Sequence, residues 1–124
     1  MMRVVLVEPG KCARPVEIKE DLHTMQELVG GTIQAVYPFD DPVALIANDE
    51  GKLLGLPWNR ALTDDHGVPY DIVCGTFFVA GLKEDDFASL TEQQIEEYTR
   101  RFGEIEQFTG QEPELEPHMT ILAF

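Results

Sequence analysis

Residues 71–82 constrain the fold most, because the run is largely apolar on both of its faces. If it is a strand, Phe77 and Val79 project to one side, and Phe78 and Ala80 project to the other. A strand of this kind needs cover on both faces. The run therefore predicts one central strand, bent at Gly75, inside a sheet with packed layers above and below it.

The first part of the chain predicts two strands, a short helix and a third strand. The strands alternate or are β-branched, and they end at Pro or Gly. Asp21 suits the helix N-cap, and Gly30 with Gly31 suits its end. The predicted ranges are 3–8 and 15–20 for the first two strands, 22–29 for the helix and 32–37 for the third strand.

The middle of the chain predicts a hairpin with strands at 43–47 and 52–56, joined by the turn at 48–51. Residues 58–62 are interpreted as a helical turn or a loop, and 84–89 as a short acidic helical turn. Thr91 and Gln94 have the spacing of a capping box, which predicts a helix from 92 to about 108. Its apolar stripe comprises Ile95, Tyr98, Phe102 and Ile105.

Together these elements predict a single α+β domain with a mixed sheet of five or six strands, one short helix and one long acidic C-terminal helix. Residues 1–82 form the β-rich core, and 83–124 the acidic helix and C-terminal segment. At 124 residues and 44% hydrophobic content, the chain suffices for one core. The apolar segment 119–124 is expected to pack as a final strand or strap, or to dock on a partner or a second copy of the chain.

Negative charge is concentrated in the second half of the chain. Residues 63–124 carry 14 Asp and Glu against Lys83, Arg100 and Arg101, a net −11 that leaves −3 of the formal −14 for the first half. Such a surface repels phosphate backbones, so direct nucleic-acid binding is not expected. It suits a basic partner protein, or it only keeps the protein soluble.

The predicted acidic helix is the first candidate surface. Acids in a row along a helix can imitate the charge spacing of duplex DNA, and such a mimic would occupy a DNA-binding protein. The alternative is a solvated helix face. The candidate residues are Glu92, Glu96, Glu97, Glu104 and Glu106.

Several short blocks resemble one family of domains of unknown function, number 3846. The blocks are Val-Glu-Pro-Gly at 7–10, Val-Gly-Gly at 29–31, Val-Tyr-Pro-Phe at 36–39, Asn-Asp-Glu-Gly-Lys-Leu at 48–53, Leu-Pro-Trp-Asn-Arg-Ala-Leu at 56–62, Tyr-Asp-Ile at 70–72 and Gly-Thr-Phe-Phe at 75–78. The resemblance implies a compact α+β domain and a bacterial or phage setting, often with mobile elements. It implies no activity and no functional residue.

Arg60 and its neighbours are the second candidate site. Asn59 and Arg60 interrupt an otherwise apolar block after Trp58, and an arginine presents a fork to a carboxylate or phosphate. One hypothesis is an anion or partner site formed by these residues, with Tyr37 and Asp71 as further candidates. The other is that Arg60 pairs with an acid such as Asp71 and pins a loop.

Other motifs favour ordinary structural roles. Residues 37–42 pair two aspartates with two aromatics, but the further oxygen ligands of a cation site are missing, so a rigid connector with solvated acids is expected. His23, His66 and His118 are too scattered to indicate a metal site. Cys74 is interpreted as a core residue. No nucleotide-binding loop or nucleophile elbow occurs, so no cofactor is predicted and an enzyme is unsupported.

The sequence therefore favours a non-enzymatic accessory protein of a mobile element or phage that binds another protein. The alternative is a small-molecule-binding protein or minor enzyme with a site near Tyr37, Asn59 and Arg60. The short apolar N-terminal stretch lacks a cleavage site, and no apolar run approaches the ~20 residues of a membrane span. A cytoplasmic location is expected, with no membrane partner.

Overall fold

The computed structural model describes residues 1–64, 66–84 and 86–103. Their order along the chain is β1 (Met2–Val7), β2 (Arg14–Ile18), α1 (Leu22–Val29), β3 (Ile33–Val36), β4 (Val43–Asn48), β5 (Trp58–Thr63), β6 (Pro69–Cys74), β7 (Phe77–Lys83), β8 (Asp86–Ala88) and α2 (Glu92–Arg101). The predicted β-β-α-β arrangement at the start of the chain is confirmed. No helix within these ranges is both long and apolar enough to cross a membrane.

The main sheet has six strands in the order β2-β1-β7-β4-β3, with β8 also pairing with β7. The recorded pairings are all antiparallel. Strand β7 lies at the centre, where β4 covers one edge, and β1 and β8 share the other. The predicted α+β fold and the central position of residues 77–82 are confirmed.

The two faces of β7 are buried in different layers, as the alternation of its side chains predicts. Phe77 and Val79 belong to the core under α2 and the β5–β6 pair. Phe78 and Ala80 belong to the core under α1, which contributes Met25. The sheet therefore has α1 on one face, and α2 with the β5–β6 pair on the other.

The prediction of one bent strand over 71–82 is wrong, because the chain changes sheets at Gly75. Strand β6 pairs with β5 in a separate two-stranded sheet, and β7 joins the main sheet. Gly75 has a φ of +83°, and a Cβ there would lie 2.7 Å from a methyl carbon of Leu56. Because the backbone of Gly75 is left-handed, the chain turns there and does not continue as one bent strand.

The predicted hairpin over 43–56 is also wrong. Strand β4 pairs with β3 and β7, and residues 51–55 form turns. The amide of Leu54 donates to the carbonyl of Glu50 at 2.9 Å, and that of Leu56 to Gly51 at 3.0 Å. The strand occurs later, as β5, where a helical turn or loop was expected. The apolar pattern was misleading because Leu53 and Leu54 are exposed.

Residues 86–88 form strand β8, so the predicted helical turn at 84–89 is wrong. Strand β8 pairs closely with β7 because Gly81 has no Cβ; one there would lie 2.7 Å from the carbonyl oxygen of Ser89. The capping box of Thr91 and Gln94 opens α2 as predicted. The helix ends at Arg101, earlier than expected. Ile105 and the predicted C-terminal strand at 119–124 lie outside the described residues.

Candidate functional site

Arg60 lies in the interior, with no exposed surface. Its guanidinium donates to the carbonyl oxygens of Phe102 at 3.2 Å and Lys11 at 2.6 Å. It also donates to the side-chain oxygen of Asn59 at 2.8 Å. A positive group at the carbonyl end of α2 is favourable, because that end carries partial negative charge.

Asn59 completes this buried network and is only 1% exposed. Its amide nitrogen donates to the carbonyl oxygens of Val7 and Gly75, each at 2.9 Å. The two side chains therefore join the end of β1, the segment entering β7 and the end of α2. We call Asn59 and Arg60 the buried polar network. Their enclosure favours the hypothesis that Arg60 pins loops, through backbone carbonyls.

Asp71 belongs to a different buried pair. It is fully buried, and its Oδ1 accepts from the Lys52 ammonium at 2.5 Å and from the Ile72 amide at 2.8 Å. Its Oδ2 is buried with no hydrogen-bond partner. Burial raises the pKa of Asp71, while the hydrogen bond from Lys52 acts in the opposite direction. Cys74 is buried as expected, and burial raises the pKa of its thiol.

The remaining members of the predicted Arg60 site lie elsewhere. Tyr37 is 63% exposed and lines a cavity of about 380 Å³ together with Glu84, Asp86 and Phe87. Trp58 is the first residue of β5 and packs against Ile72 and Cys74 of β6. The structure therefore does not bring Tyr37 into the buried polar network.

An open cleft of about 360 Å³ lies between loop 37–42, the β5–β6 turn and α2. A smaller cavity of about 140 Å³ adjoins it and shares several lining residues, among them Phe39, Tyr70 and Arg101. The larger cleft combines aromatic rings with carboxylates and one guanidinium. Its side chains of these kinds are Phe39, Tyr70, Tyr98, Asp40, Asp41, Asp64, Glu97 and Arg101.

Packing and hydrogen bonds hold the walls of this cleft. Tyr98 is 1% exposed, and its hydroxyl donates to Asp41 Oδ2 at 2.8 Å. Its ring lies 4.9 Å from that of Phe39, centroid to centroid. The Arg101 guanidinium carbon lies 4.7 Å from the Phe39 centroid, in cation–π contact. Helix α2 thus fixes loop 37–42 through a buried phenol and an aromatic pair.

The third wall is the β5–β6 turn. Asp64 Oδ1 accepts from the backbone amides of His66 and Val68, each at 2.9 Å. This carboxylate stabilises the turn, as expected for an aspartate at such a position. Asp64 also lines the cleft, so the same side chain shapes the wall and gives it negative charge.

The tyrosine hydroxyls in the cleft stay protonated. Burial, and then the hydrogen bond to Asp41, raise the pKa of Tyr98 well above its usual range. Burial, and then the charge of Asp71, also raise the pKa of Tyr70, while Arg101 acts in the opposite direction. Arg101 also acts to lower the pKa of Tyr98. The cleft therefore offers neutral phenols and exposed carboxylates, with no activated nucleophile among them.

Loop 37–42 and the elements next to it carry six carboxylates that line two cavities. The amide of Leu82 donates to the carbonyl of Pro42 at 3.0 Å, so the end of β7 adjoins this loop. Glu84 and Asp86 line the cavity there. We call the six residues the acidic rim: Asp40, Asp41, Asp64, Glu84, Asp86 and Glu97.

The rim carboxylates differ from Glu8, Asp71 and Glu92, which each pair with a Lys or Arg. Within the described ranges, no Lys or Arg lies within 4.0 Å of a rim carboxylate. Glu8, in contrast, pairs with Arg14 at 2.5 Å, and Glu92 pairs with Arg3. Negative charge is therefore locally uncompensated around loop 37–42.

The glutamates predicted to form one acidic helix surface do not share one environment in the structure. Glu92 pairs with Arg3, and Glu96 is exposed outside the cleft. Glu97 is the member that lines the cleft. Glu104 and Glu106 lie outside the described residues. In the part of the chain that is described, no group of three or more His, Cys, Asp or Glu is arranged to hold a metal ion.

The chain belongs to the family named Domain of unknown function (DUF3846), whose model matches residues 2–103. No curated protein and no solved structure matches the chain significantly. The blocks that carry the family resemblance include the buried polar network and the Lys52–Asp71 pair. Asn59, Arg60 and Asp71 of these blocks are buried in the interior.

The cleft was not predicted from the sequence, although one of its walls, loop 37–42, was considered as a candidate motif. Two aspartates beside aromatic rings at 37–42 were the available signal, and they were interpreted as a connector. Tyr98 was interpreted as part of the apolar stripe, and it is buried, but the hydrogen bond from its hydroxyl to Asp41 was not predicted. The spacing of Asp64 and Arg101 gives no signal, because only the tertiary fold brings them to loop 37–42.

Proposed function

We propose that this protein is a non-enzymatic binding module that docks a basic segment of another protein on the acidic rim. The observation that carries the proposal is that four carboxylates, none of them in an ion pair within the described ranges, line an open cleft with aromatic walls. The proposed setting is the cytoplasm of a bacterium, as an accessory protein of a mobile element or phage. Free Cys12 and Cys74 fit a reducing compartment.

Electrostatics support this role over a purely solubilising one. Four acids line the cleft together with one base, Arg101, which gives the lining a net charge of −3. Like charges kept close together weaken the folded state through repulsion, so their placement around a cleft suits a function. Such a field also attracts a basic partner over about 8 Å at physiological salt.

The described helix surface gives less support to DNA mimicry. Helix α2 carries Glu92, Glu96 and Glu97 against Arg100 and Arg101, and Glu92 is already paired. A ligand site at Asn59 and Arg60 has no support either, because both side chains are buried. The proposal therefore rests on the rim rather than on the helix face or on Arg60.

Calorimetric titration with a short peptide of alternating lysine and glycine tests the proposal. We expect binding at low salt that weakens steeply as salt is raised, because the attraction is between charges. Glu97→Gln should weaken binding more than Glu96→Gln. The two glutamates are adjacent, exposed and equally charged, but only Glu97 lines the cleft.

Two results would contradict the proposal. One is no detectable heat or displacement with the lysine peptide at low salt. The other is an equal loss of affinity in the two glutamate variants, which would mean that the peptide senses only net charge.

A further inference from the structure

We infer that the cleft is a seat for an arginine side chain, so that the basic partner is recognised by a guanidinium stacked on Phe39 between the rim carboxylates. The inference rests on the proposed function and specifies the chemistry that the same site reads. The chain's own Arg101 already stacks in this position, with its guanidinium carbon 4.7 Å from the Phe39 centroid.

Phe39 is well placed to act as the floor of such a seat. Its ring is packed edge-on or tilted against Tyr98 and Phe102, with centroid distances of 4.9 Å and 6.1 Å. Both of those side chains are buried, so the ring is held in one orientation. It is itself only partly buried and lines both adjoining cavities.

The surrounding acceptors complete the chemistry. Asp40, Asp41 and Glu97 are exposed and line the same cleft. A guanidinium is planar and weakly hydrated, and it can stack on a ring while its edges donate to carboxylates. An ammonium is strongly hydrated and has no flat face. The pairing of an aromatic floor with carboxylate walls therefore favours arginine over lysine.

Arg101 occupies this seat without completing it. In the described part of the chain, its guanidinium has no carboxylate within 4.0 Å. Its influence on the pKa of both Tyr70 and Tyr98 agrees with a position inside the cleft. An arginine that arrives from outside can stack and reach a carboxylate together, so it displaces Arg101 from the ring.

The first test compares two peptides of equal length and charge, one alternating arginine with glycine and the other lysine with glycine. Calorimetry at one salt concentration should give about 3–10-fold tighter binding of the arginine peptide. In Phe39→Leu the ratio should fall close to one, because the leucine keeps apolar bulk but has no π face. Thermal unfolding of Phe39→Leu verifies that the variant is folded.

The second test does not depend on the stability of Phe39→Leu. Arg100→Gln and Arg101→Gln each remove one positive charge from the last turn of α2, and both residues are exposed. Only Arg101 covers Phe39. Arg101→Gln should therefore tighten arginine-peptide binding about 2–5-fold more than Arg100→Gln does.

The outcomes separate the inference from the proposed function. Equal affinity for the two peptides, with both weakened by Glu97→Gln, would overturn the arginine seat and leave the basic-partner proposal standing. Equal gains from Arg100→Gln and Arg101→Gln would also overturn it. If neither peptide binds, both proposals fail.

Discussion

The buried polar network and the acidic rim are both clusters of polar side chains, but the first is enclosed in the interior and the second is exposed at the surface. Arg60 and Asn59 are enclosed, and their donors are satisfied by backbone carbonyls from distant segments. The rim carboxylates are exposed and have no basic partner within the described ranges. The first cluster holds the fold together. The second keeps carboxylate charge at the surface without ion pairs, although Asp41 and Asp64 also accept internal hydrogen bonds.

This difference shows why an unusual charged residue in a sequence is ambiguous. Arg60 stood out because it interrupts an apolar block, and its function is internal. The aspartates of loop 37–42 looked like ordinary surface acids, yet they line an open cleft with aromatic walls. Burial of the side chains distinguishes the two clusters, and only the tertiary structure reveals it.

Replacing Arg60 should give the largest loss of stability among these variants. Arg60→Met leaves the carbonyls of Phe102 and Lys11 without this donor, and we expect a loss of about 3–5 kcal/mol in the free energy of unfolding. Urea denaturation measures the loss as a lower midpoint at an unchanged slope. Exposed Arg100→Met is the control, with a change within about 0.5 kcal/mol. Similar small changes in both variants would contradict a structural role for Arg60.

Asn59→Ala should cost somewhat less, about 2–3 kcal/mol, because two buried carbonyls lose their donor. Its effect should not add to that of Arg60→Met, since Asn59 and Arg60 share a hydrogen bond of 2.8 Å. A double-mutant cycle by urea unfolding measures the coupling. Strict additivity would show that the two side chains act independently and do not form one network.

The buried Lys52–Asp71 pair should make the stability of the protein depend on pH. Burial raises the folded-state pKa of Asp71, so the folded protein binds more protons than the unfolded chain between the unfolded and folded pKa values. Stability should therefore decrease as pH rises through that window, from about 4 upward, and level off above it. Asp71→Asn should lack this slope when both proteins are unfolded in urea across the range. Parallel curves, or a difference of opposite sign, would exclude a raised pKa.

Neutralising the rim should have the smallest effect on stability. The double variant Asp40→Asn with Glu97→Gln removes two exposed charges that make no ion pair within the described ranges, so we expect a change within about 0.5 kcal/mol. Any change should be a gain at low salt, because repulsion within the rim is relieved. Thermal unfolding at two salt concentrations measures it. A loss of several kcal/mol would mean that the rim, like Arg60, serves the fold.

The sequence predicted the parts of the fold that depend on local patterns. The caps of α1 and the capping box of α2 occur where Asp21 and Thr91 indicate, because caps are set by neighbouring residues. The alternating burial of Phe77 and Phe78 was likewise readable. Strand β5 was missed because Asn59 and Arg60 are polar at positions that face the interior, which conceals the pattern of a buried strand.

The break between β6 and β7 was not predictable from apolarity alone. Residues on both sides of Gly75 have strand character, and the left-handed conformation of this glycine decides that they enter different sheets. The cleft was not predictable from the sequence either. Its walls come from loop 37–42, the β5–β6 turn and α2, which only the tertiary fold brings together.

Backbone amide chemical shifts during titration with the arginine–glycine peptide test most directly whether a basic segment docks beside loop 37–42. We expect the largest shifts at Asp40, Asp41 and Asp64 and from Glu97 to Arg101, with the amides of Asn59 and Arg60 unmoved. Shifts concentrated at the exposed leucines 53 and 54, or spread evenly over the acidic surface, would contradict a docking site at loop 37–42.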